Sequence, residues 1–167
     1  MEISAQVHAF LSLIAFSEGT ASNPLTKNKG YDVIVSGLEK AGEVGLEVFT
    51  SYADHPFAAG RPAKIISLGP PVLKSTASGR YQLLVKWWRS YKEILNLTDF
   101  SPTSQDAVAV RQLQERHAID LIEAGKIAEA ITAASTIWAS FPGTYSQGNG
   151  PHSMETLVGK YAEIAKE

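Results

Sequence analysis

The stretch 7-VHAFLSLIAFSEGTASN-23 carries the first decision about the fold. Val7, Leu11, Ile14 and Glu18 follow one another at intervals of four, three and four, so a helix puts them on one face with Phe10 alongside. Ser4 is a good N-cap and Gly19 a suitable residue just past the C-terminus, which predicts a helix over residues 4–18. Glu18 then points toward the packed side in the last turn. The helix dipole is negative there, and burial and dipole both penalise an ionised carboxylate. Two readings stay open from position alone. One is a frayed glutamate in water, and the other is a raised-pKa general acid of the kind used by glycosidases.

Working outward, residues 19–79 change character. Glycine is frequent, Pro24, Pro56, Pro62, Pro70 and Pro71 interrupt the chain, and short β-type runs occur at YDVIV, EVFTSY and AKIISL. This predicts a small, irregular β-rich lobe with long loops. From about Arg80 the helical period returns. RYQLLVKWWRSYKEIL carries the stripe Leu84, Trp87 or Trp88, Tyr91 and Leu95. Ser101-Pro102 opens the next helix as N-cap and N1, and IDLIEAG is a short helix closed by Gly125. IAEAITAASTIWASF presents Ile127, Ala130, Ile131, Ala134, Ile137, Trp138 and Phe141 on one broad face, and a last helix begins near Ser153. The layout is α+β: one domain over residues 1–167, with a helix at 4–18, a β-lobe at about 19–79 and a helical lobe at about 80–167.

Composition narrows the classes. With 44% hydrophobic and 19% charged residues the chain is ordinary globular material, and its 167 residues suffice for one real core. A net charge of −2 supplies no basic field for nucleic acid or an anionic membrane. The absence of cysteine excludes disulfides and thiolate metal sites. FLSLIAF is preceded by no Lys or Arg and is far too short to span a bilayer, so it reads as an internal helix and not an export signal. His8, His55, His117 and His152 are scattered without metal-ligand spacing, and neither a P-loop nor a G-x-S-x-G pattern occurs. No metal and no cofactor are expected. His55 reads as structural or as a contact at a cleft rim.

A hydrolytic glycosidase wants a second carboxylate. Asp32 and Asp54 stand in the β-rich region, though each also suits a turn or a cap. At STASGRYQLL, Arg80, Tyr81 and Gln82 sit beside a Trp-rich helix, which suits carbohydrate: amides bridge hydroxyls and rings cover the apolar C–H face. A helix-start cluster satisfying its own backbone is the alternative. Tyr145 and Gln147 in GTYSQGNG offer an aromatic and an amide on a turn-rich loop.

Taken in order, SEGT, GYDVIVSG, FTSYADHP, STASGRYQLL, WWRSY, DFSPTSQDAVAV and IWASFPGTY resemble the bacteriophage lambda endolysin family from about Phe10 through Tyr145. The resemblance implies a lysozyme-like fold, with a β-rich lobe and a helical lobe flanking a substrate cleft. It also implies lytic transglycosylation of peptidoglycan: cleavage of the β-1,4 bond between N-acetylmuramic acid and N-acetylglucosamine, leaving a 1,6-anhydro end. The family's catalytic glutamate falls on Glu18. Substrate-binding roles are implied for Tyr81 and Gln82, with Tyr31 and Ser75 as further choices. Two closing lips resemble SYADHPFAAGRPAK and FPGTYSQGNG, the latter carrying Tyr145 and Gln147. LEKAGEVGLEV, residues 38–48, is longer than the family's usual connection. The expected partner is the peptidoglycan glycan strand, with no nucleic acid and no stable membrane association. A monomer is expected, made in the host cytoplasm, acting on the periplasmic wall and released by a separate membrane-permeabilising protein (a holin). A hydrolytic lysozyme using Asp32 or Asp54, and a wall-binding module without activity, remain the alternatives.

Overall fold

The computed structural model describes residues 2–143 and 151–167, and the chain divides into two compact units. The first comprises residues up to Gly19 together with Ala109–Glu167, and the second is Thr20–Val108.

In the first unit, α1 (Ala5–Glu18) begins at Ser4, whose hydroxyl accepts the Val7 N–H, and ends at Gly19 with φ 74°. That left-handed φ costs a glycine nothing and lets its N–H close onto the carbonyls of Ala15 and Phe16. Val7, Phe10, Leu11 and Ile14 are buried as the spacing requires, and so are Ala9, Leu13 and Ala15. The helix is therefore covered on almost every side, as its nearly continuous apolar sequence demands. Against it pack α6 (Met154–Ile164) and α4 (Ala118–Glu123), α5 (Ile127–Ala134) packs against both of those, and the C-terminal half of α3 (Pro102–Glu115) belongs to the same unit. The Phe10 ring meets the edge of Phe141 at 5.9 Å and tilts against Tyr161 at 6.4 Å. Each such side chain contributes about 1.5–3 kcal/mol by leaving water. α5 stops at Ala134, seven residues before Phe141, because the Ser135 hydroxyl donates to the Thr132 carbonyl at 2.6 Å and offers the backbone an alternative to another helical turn. Trp138 and Phe141 are nevertheless buried.

In the second unit the β-type runs form only short strands. β1 (Val33–Ile34) pairs antiparallel with β2 (Glu47–Val48), and β3 (Lys64–Ser67) with β4 (Leu73–Ser75). The long connection between β1 and β2 holds a 3₁₀ turn at Glu39–Ala41 and is tied to β3. The Leu38 N–H donates to Ile65 O at 2.8 Å, and the Ile65 N–H to Glu43 Oε1 at 3.1 Å. α2 (Val85–Ile94) starts five residues later than the period from Arg80 suggests, since Ser78 bridges Leu83 and Gln82 adopts φ 52°. Of the two tryptophans, Trp88 is buried and Trp87 is 48% exposed. Trp88 meets Phe100 edge-on at 4.9 Å in a core shared with Leu83 and Val108. The return of helices near residue 80 is thus not where the packing divides. α2 and the N-terminal half of α3 are built into the same unit as the strands. The α+β class holds throughout. No helix among the described residues is long and apolar enough to cross a membrane.

The Lys64 side chain is 1% exposed, with its ammonium 3.0 Å from Glu47 Oε1, which also receives Arg61 at 2.7 Å. A buried cation stripped of its partner is costly, whereas removing the cation itself is not. In urea unfolding, Glu47→Ala should lose about 3 kcal/mol while Lys64→Met stays within about 1 kcal/mol of wild type.

Candidate active site

Glu18 ends α1 with its carboxyl largely withdrawn from water. Burial pushes its pKa from 4.5 up to about 7, against the opposing pull of a hydrogen bond from Ser140. The hydroxyls form a directed chain: Ser17 Oγ donates to Ser140 Oγ at 2.7 Å, and Ser140 Oγ donates to Glu18 Oε1 at 3.0 Å. With Oε1 accepting, a proton on the neutral acid belongs on Oε2. The group is a carboxylic acid that keeps its proton near neutrality, and Ser140 steadies the anion once the proton leaves.

A second constellation lies in the other unit. The hydroxyls of Tyr31 and Tyr81 converge on one oxygen of Asp106, at 2.9 and 2.6 Å, with the rings in edge contact at 6.2 Å. Burial is the largest influence on both phenols and raises their pKa values, with the Asp106 charge adding to it, so both remain donors. The Arg80 guanidinium lies over the Tyr31 ring at 5.2 Å and donates to the Lys29 carbonyl. Behind them the buried Gln105 accepts the Arg80 N–H at 2.9 Å and donates to Tyr31 O at 3.1 Å and Phe100 O at 2.9 Å. Gly79, at φ 84°, packs directly against the Gln105 amide, where any Cβ would collide.

The structure therefore joins Tyr31 and Tyr81 through a residue that the sequence reading did not single out. Gln82 occupies the adjoining turn and donates to Gly79 O at 3.0 Å. Ser75 stands apart at the end of β4, its hydroxyl accepting the Ala77 N–H at 3.1 Å. Tyr145 and Gln147 lie outside the described residues.

Both candidate second carboxylates are committed elsewhere. Asp32 is buried and accepts from the Thr26 hydroxyl and, at 2.9 Å, from the Lys27 N–H, so it organises a turn. Asp54 accepts Trp88 Nε1–H at 2.8 Å and the His55 N–H at 2.9 Å, with Lys92 at 3.4 Å. Burial pushes the Asp54 carboxyl upward, and these donors together hold it below the usual range. His55 is structural. Its Nδ1 accepts the Phe57 N–H at 3.1 Å, leaving Nε2–H to donate to Leu83 O at 2.8 Å, and burial pushes its pKa down to about 4. Among the described residues no group of three or more His, Asp or Glu side chains is arranged to hold a metal.

The endolysin family model matches residues 8–166. The chain belongs to the endolysin family. It is 53% identical over 152 residues to an endolysin of Escherichia phage P2, a match spanning 91% of this chain and 88% of that one. It is 46% identical over 164 residues to the endolysin of Escherichia phage lambda, spanning 98% and 93%. Its structure is similar to bacteriophage lambda lysozyme complexed with a chitohexasaccharide, at TM-score 0.81 and 45% identity over 98% of this chain and 96% of that one. A second structure of lysozyme from bacteriophage lambda gives a TM-score of 0.79 at 44% identity, with the same coverage. The fold of this endolysin is accordingly α+β and lysozyme-like. Ser17, Ser140 and Asp106 are the residues that sequence reasoning missed. All three stand inside the quoted family blocks, but their partnerships with one another, Glu18 and the tyrosines span up to 123 positions, which no local spacing reveals.

A carboxyl whose folded pKa is raised contributes its stability below the unfolded value near 4.5 and loses it as pH rises through about 7. Glu18→Gln should therefore be more stable than wild type at pH 8, by roughly 2–3 kcal/mol, with the gap closing below pH 4.5. Urea titrations at the two pH values measure it.

Proposed function

We propose that this endolysin-family chain, a lysozyme-like enzyme of peptidoglycan degradation, cuts the bond between N-acetylmuramic acid and N-acetylglucosamine by lytic transglycosylation, with Glu18 as its acid and then its base. The observation that carries the reading is the carboxyl itself, desolvated to a pKa of about 7 and held by a directed hydrogen bond from Ser140. A neutral Glu18 donates its Oε2 proton to the glycosidic oxygen as the bond to C1 breaks. The resulting carboxylate, steadied by Ser140, takes the proton from the muramic C6 hydroxyl as that oxygen closes onto C1. The proton returns to Glu18, no water is consumed, and no second carboxylate is required. The commitment of Asp32 and Asp54 to turn and core hydrogen bonds favours this route over a hydrolytic one. A relative's complex with a chitohexasaccharide supports glycan as the ligand class. Tyr31, Tyr81 and Gln82, together with Tyr145 and Gln147, are assigned to glycan contact, and Ser75 less directly. The enzyme would act as a monomer on the periplasmic face of the host wall, reached from the cytoplasm through a holin.

Mass spectrometry of products from purified sacculi tests the reaction. Wild type should release 1,6-anhydromuropeptides, and Glu18→Gln should fall by about 10³-fold or more. Reducing ends carrying solvent oxygen would establish a hydrolase instead. Soluble products undiminished in the variant would remove Glu18 from the chemistry.

The pH profile tests the acid. The rate should decline above about pH 7, approaching tenfold per unit. Ser140→Ala removes a donor that favours the anion, so that limb should move to higher pH. An unmoved limb would separate the titrating group from Glu18.

A further inference from the structure

Asp106 has more hydrogen-bonding capacity than the fold uses. Tyr31 and Tyr81 both donate to its Oδ1, at 2.9 and 2.6 Å, and its side chain takes no other hydrogen bond among the described residues. It enters no ion pair among them either. Oδ2 is thus left with its acceptor capacity unspent, and it is not sealed from solvent. Asp32 and Asp54 of the same unit use both oxygens. Asp32 accepts from Thr26 on Oδ1 and from the Lys27 N–H on Oδ2. Asp54 accepts from Trp88 and the His55 N–H on Oδ1 and from Lys92 on Oδ2. An asparagine at position 106 could take both phenols on its carbonyl oxygen, with no charge to desolvate. What the aspartate adds is a charge and a second acceptor oxygen. In a half-buried position that charge is a cost, and the tyrosine pair does not require it.

The surroundings hold Oδ2 in a fixed direction. Two phenols on Oδ1 restrict rotation of the carboxylate, and the two rings brace each other in edge contact at 6.2 Å. Gln105, the preceding residue of α3, is tied to Tyr31 O and to the Arg80 N–H. An acceptor fixed in advance has little ordering left to lose when a donor arrives. A carboxylate oxygen only accepts, so its partner has to bring an O–H or an N–H. The Arg80 guanidinium and the Asp106 charge both act on the Tyr31 phenol. A cation therefore already stands beside this group, which disfavours a second one and favours a neutral donor.

We infer that Asp106 is a substrate-binding residue, its Oδ2 accepting a hydrogen bond from a neutral donor of the glycan, either a sugar hydroxyl or an acetamido N–H. Bonds of this kind to an ionised oxygen are stronger than those between neutral groups. Tyr31 and Tyr81 then serve the site by aiming Asp106, in addition to any contact of their own. This deepens the proposed action on peptidoglycan and rests on it.

Calorimetric binding of chitohexasaccharide to Glu18→Gln protein tests it. In that background Asp106→Asn keeps an oxygen for both phenols but replaces the free acceptor with a donor, and it should weaken binding about tenfold. Its Tm and the near-ultraviolet circular dichroism of its tyrosines should match the parent, which separates loss of the acceptor from loosening of the pair. Should the variant loosen the pair, the parent decides alone. Its Asp106 carboxyl-carbon NMR resonance should move when the hexasaccharide is added, and a resonance that stays in place overturns the assignment. Equal affinity of parent and Asp106→Asn overturns it too. So does tighter binding of the de-N-acetylated hexamer, its amines protonated, if Asp106→Asn abolishes that preference, since the oxygen then serves a cation. A parent that binds no hexasaccharide also overturns the subsite, while soluble products released from sacculi by the unmutated enzyme still decide the proposed function.

Discussion

A carboxyl group kept out of water at the negative end of a helix is a cost that folding has to carry, and Glu18 bears it because α1 has no freedom to turn. Phe10 sits two turns before Glu18 and is wedged against Phe141 and Tyr161, while Leu13 and Ile14 are wholly buried in the intervening turn. Rotating the helix to hydrate Glu18 would expose those side chains at about 1.5–3 kcal/mol each. Gly19 then ends the helix immediately, so fraying of the last turn gives little relief. The apolar packing of the first unit thus over-determines a locally unfavourable state, which is how destabilised functional groups persist in folded proteins.

The second unit treats its charges in the opposite way. Asp32, Asp54 and Asp106 each accept two or more donors, and none is left with the isolation of Glu18. His55 is held neutral between the Phe57 amide and the Leu83 carbonyl. These bonds fix loops that the two-residue strands β1 and β2 are too short to fix. They also hold the tyrosine pair rigidly, with both phenol hydroxyls on one carboxylate oxygen. Such a pair has little freedom left to lose, which suits the glycan contact proposed for it.

How much of this could be read in the sequence follows from the range of the forces involved. The starts of α1, of α3 at Ser101–Pro102 and of α6 at Ser153 are set by side chain–backbone bonds three residues apart, and the end of α1 by the left-handed Gly19, so all were legible. The anomaly of Glu18 was legible too, because helix period and cap position are both local. Its pKa was not, since that depends on how completely distant segments exclude water. The choice between Trp87 and Trp88 and the late start of α2 were hidden for a related reason. Both follow from the bridge between Ser78 and Leu83, a tertiary pairing that overrides the helical period beginning at Arg80. The Ser17–Ser140–Glu18 chain and the meeting of Tyr31 and Tyr81 on Asp106 join segments remote in sequence. Helix spacing pointed to Glu18 and the polar and aromatic cluster at STASGRYQLL to Tyr81, but nothing local pointed to Ser140 or Asp106 as their partners.

The short strands bear on what the second unit can accommodate. A sheet that relied on long ladders would constrain its connections through register, and a one-residue slip would turn its core outward. Here β1 is anchored on one side by β2 and on the other by residues 77–79, and Val33 and Ile34 are both buried, so register is fixed at its centre. The connection before β2, residues 38–46, can then be long without disturbing the core, because it is tied down by its own bonds to Ile65 and not by strand pairing. Among the described residues the same economy leaves the far side of β2 without a partner strand. In an ordinary sheet such an edge is a liability that charges, bulges or covering loops suppress. Here Glu47 on β2 is ion-paired with Arg61 and Lys64, charges of the kind that keep such an edge from pairing.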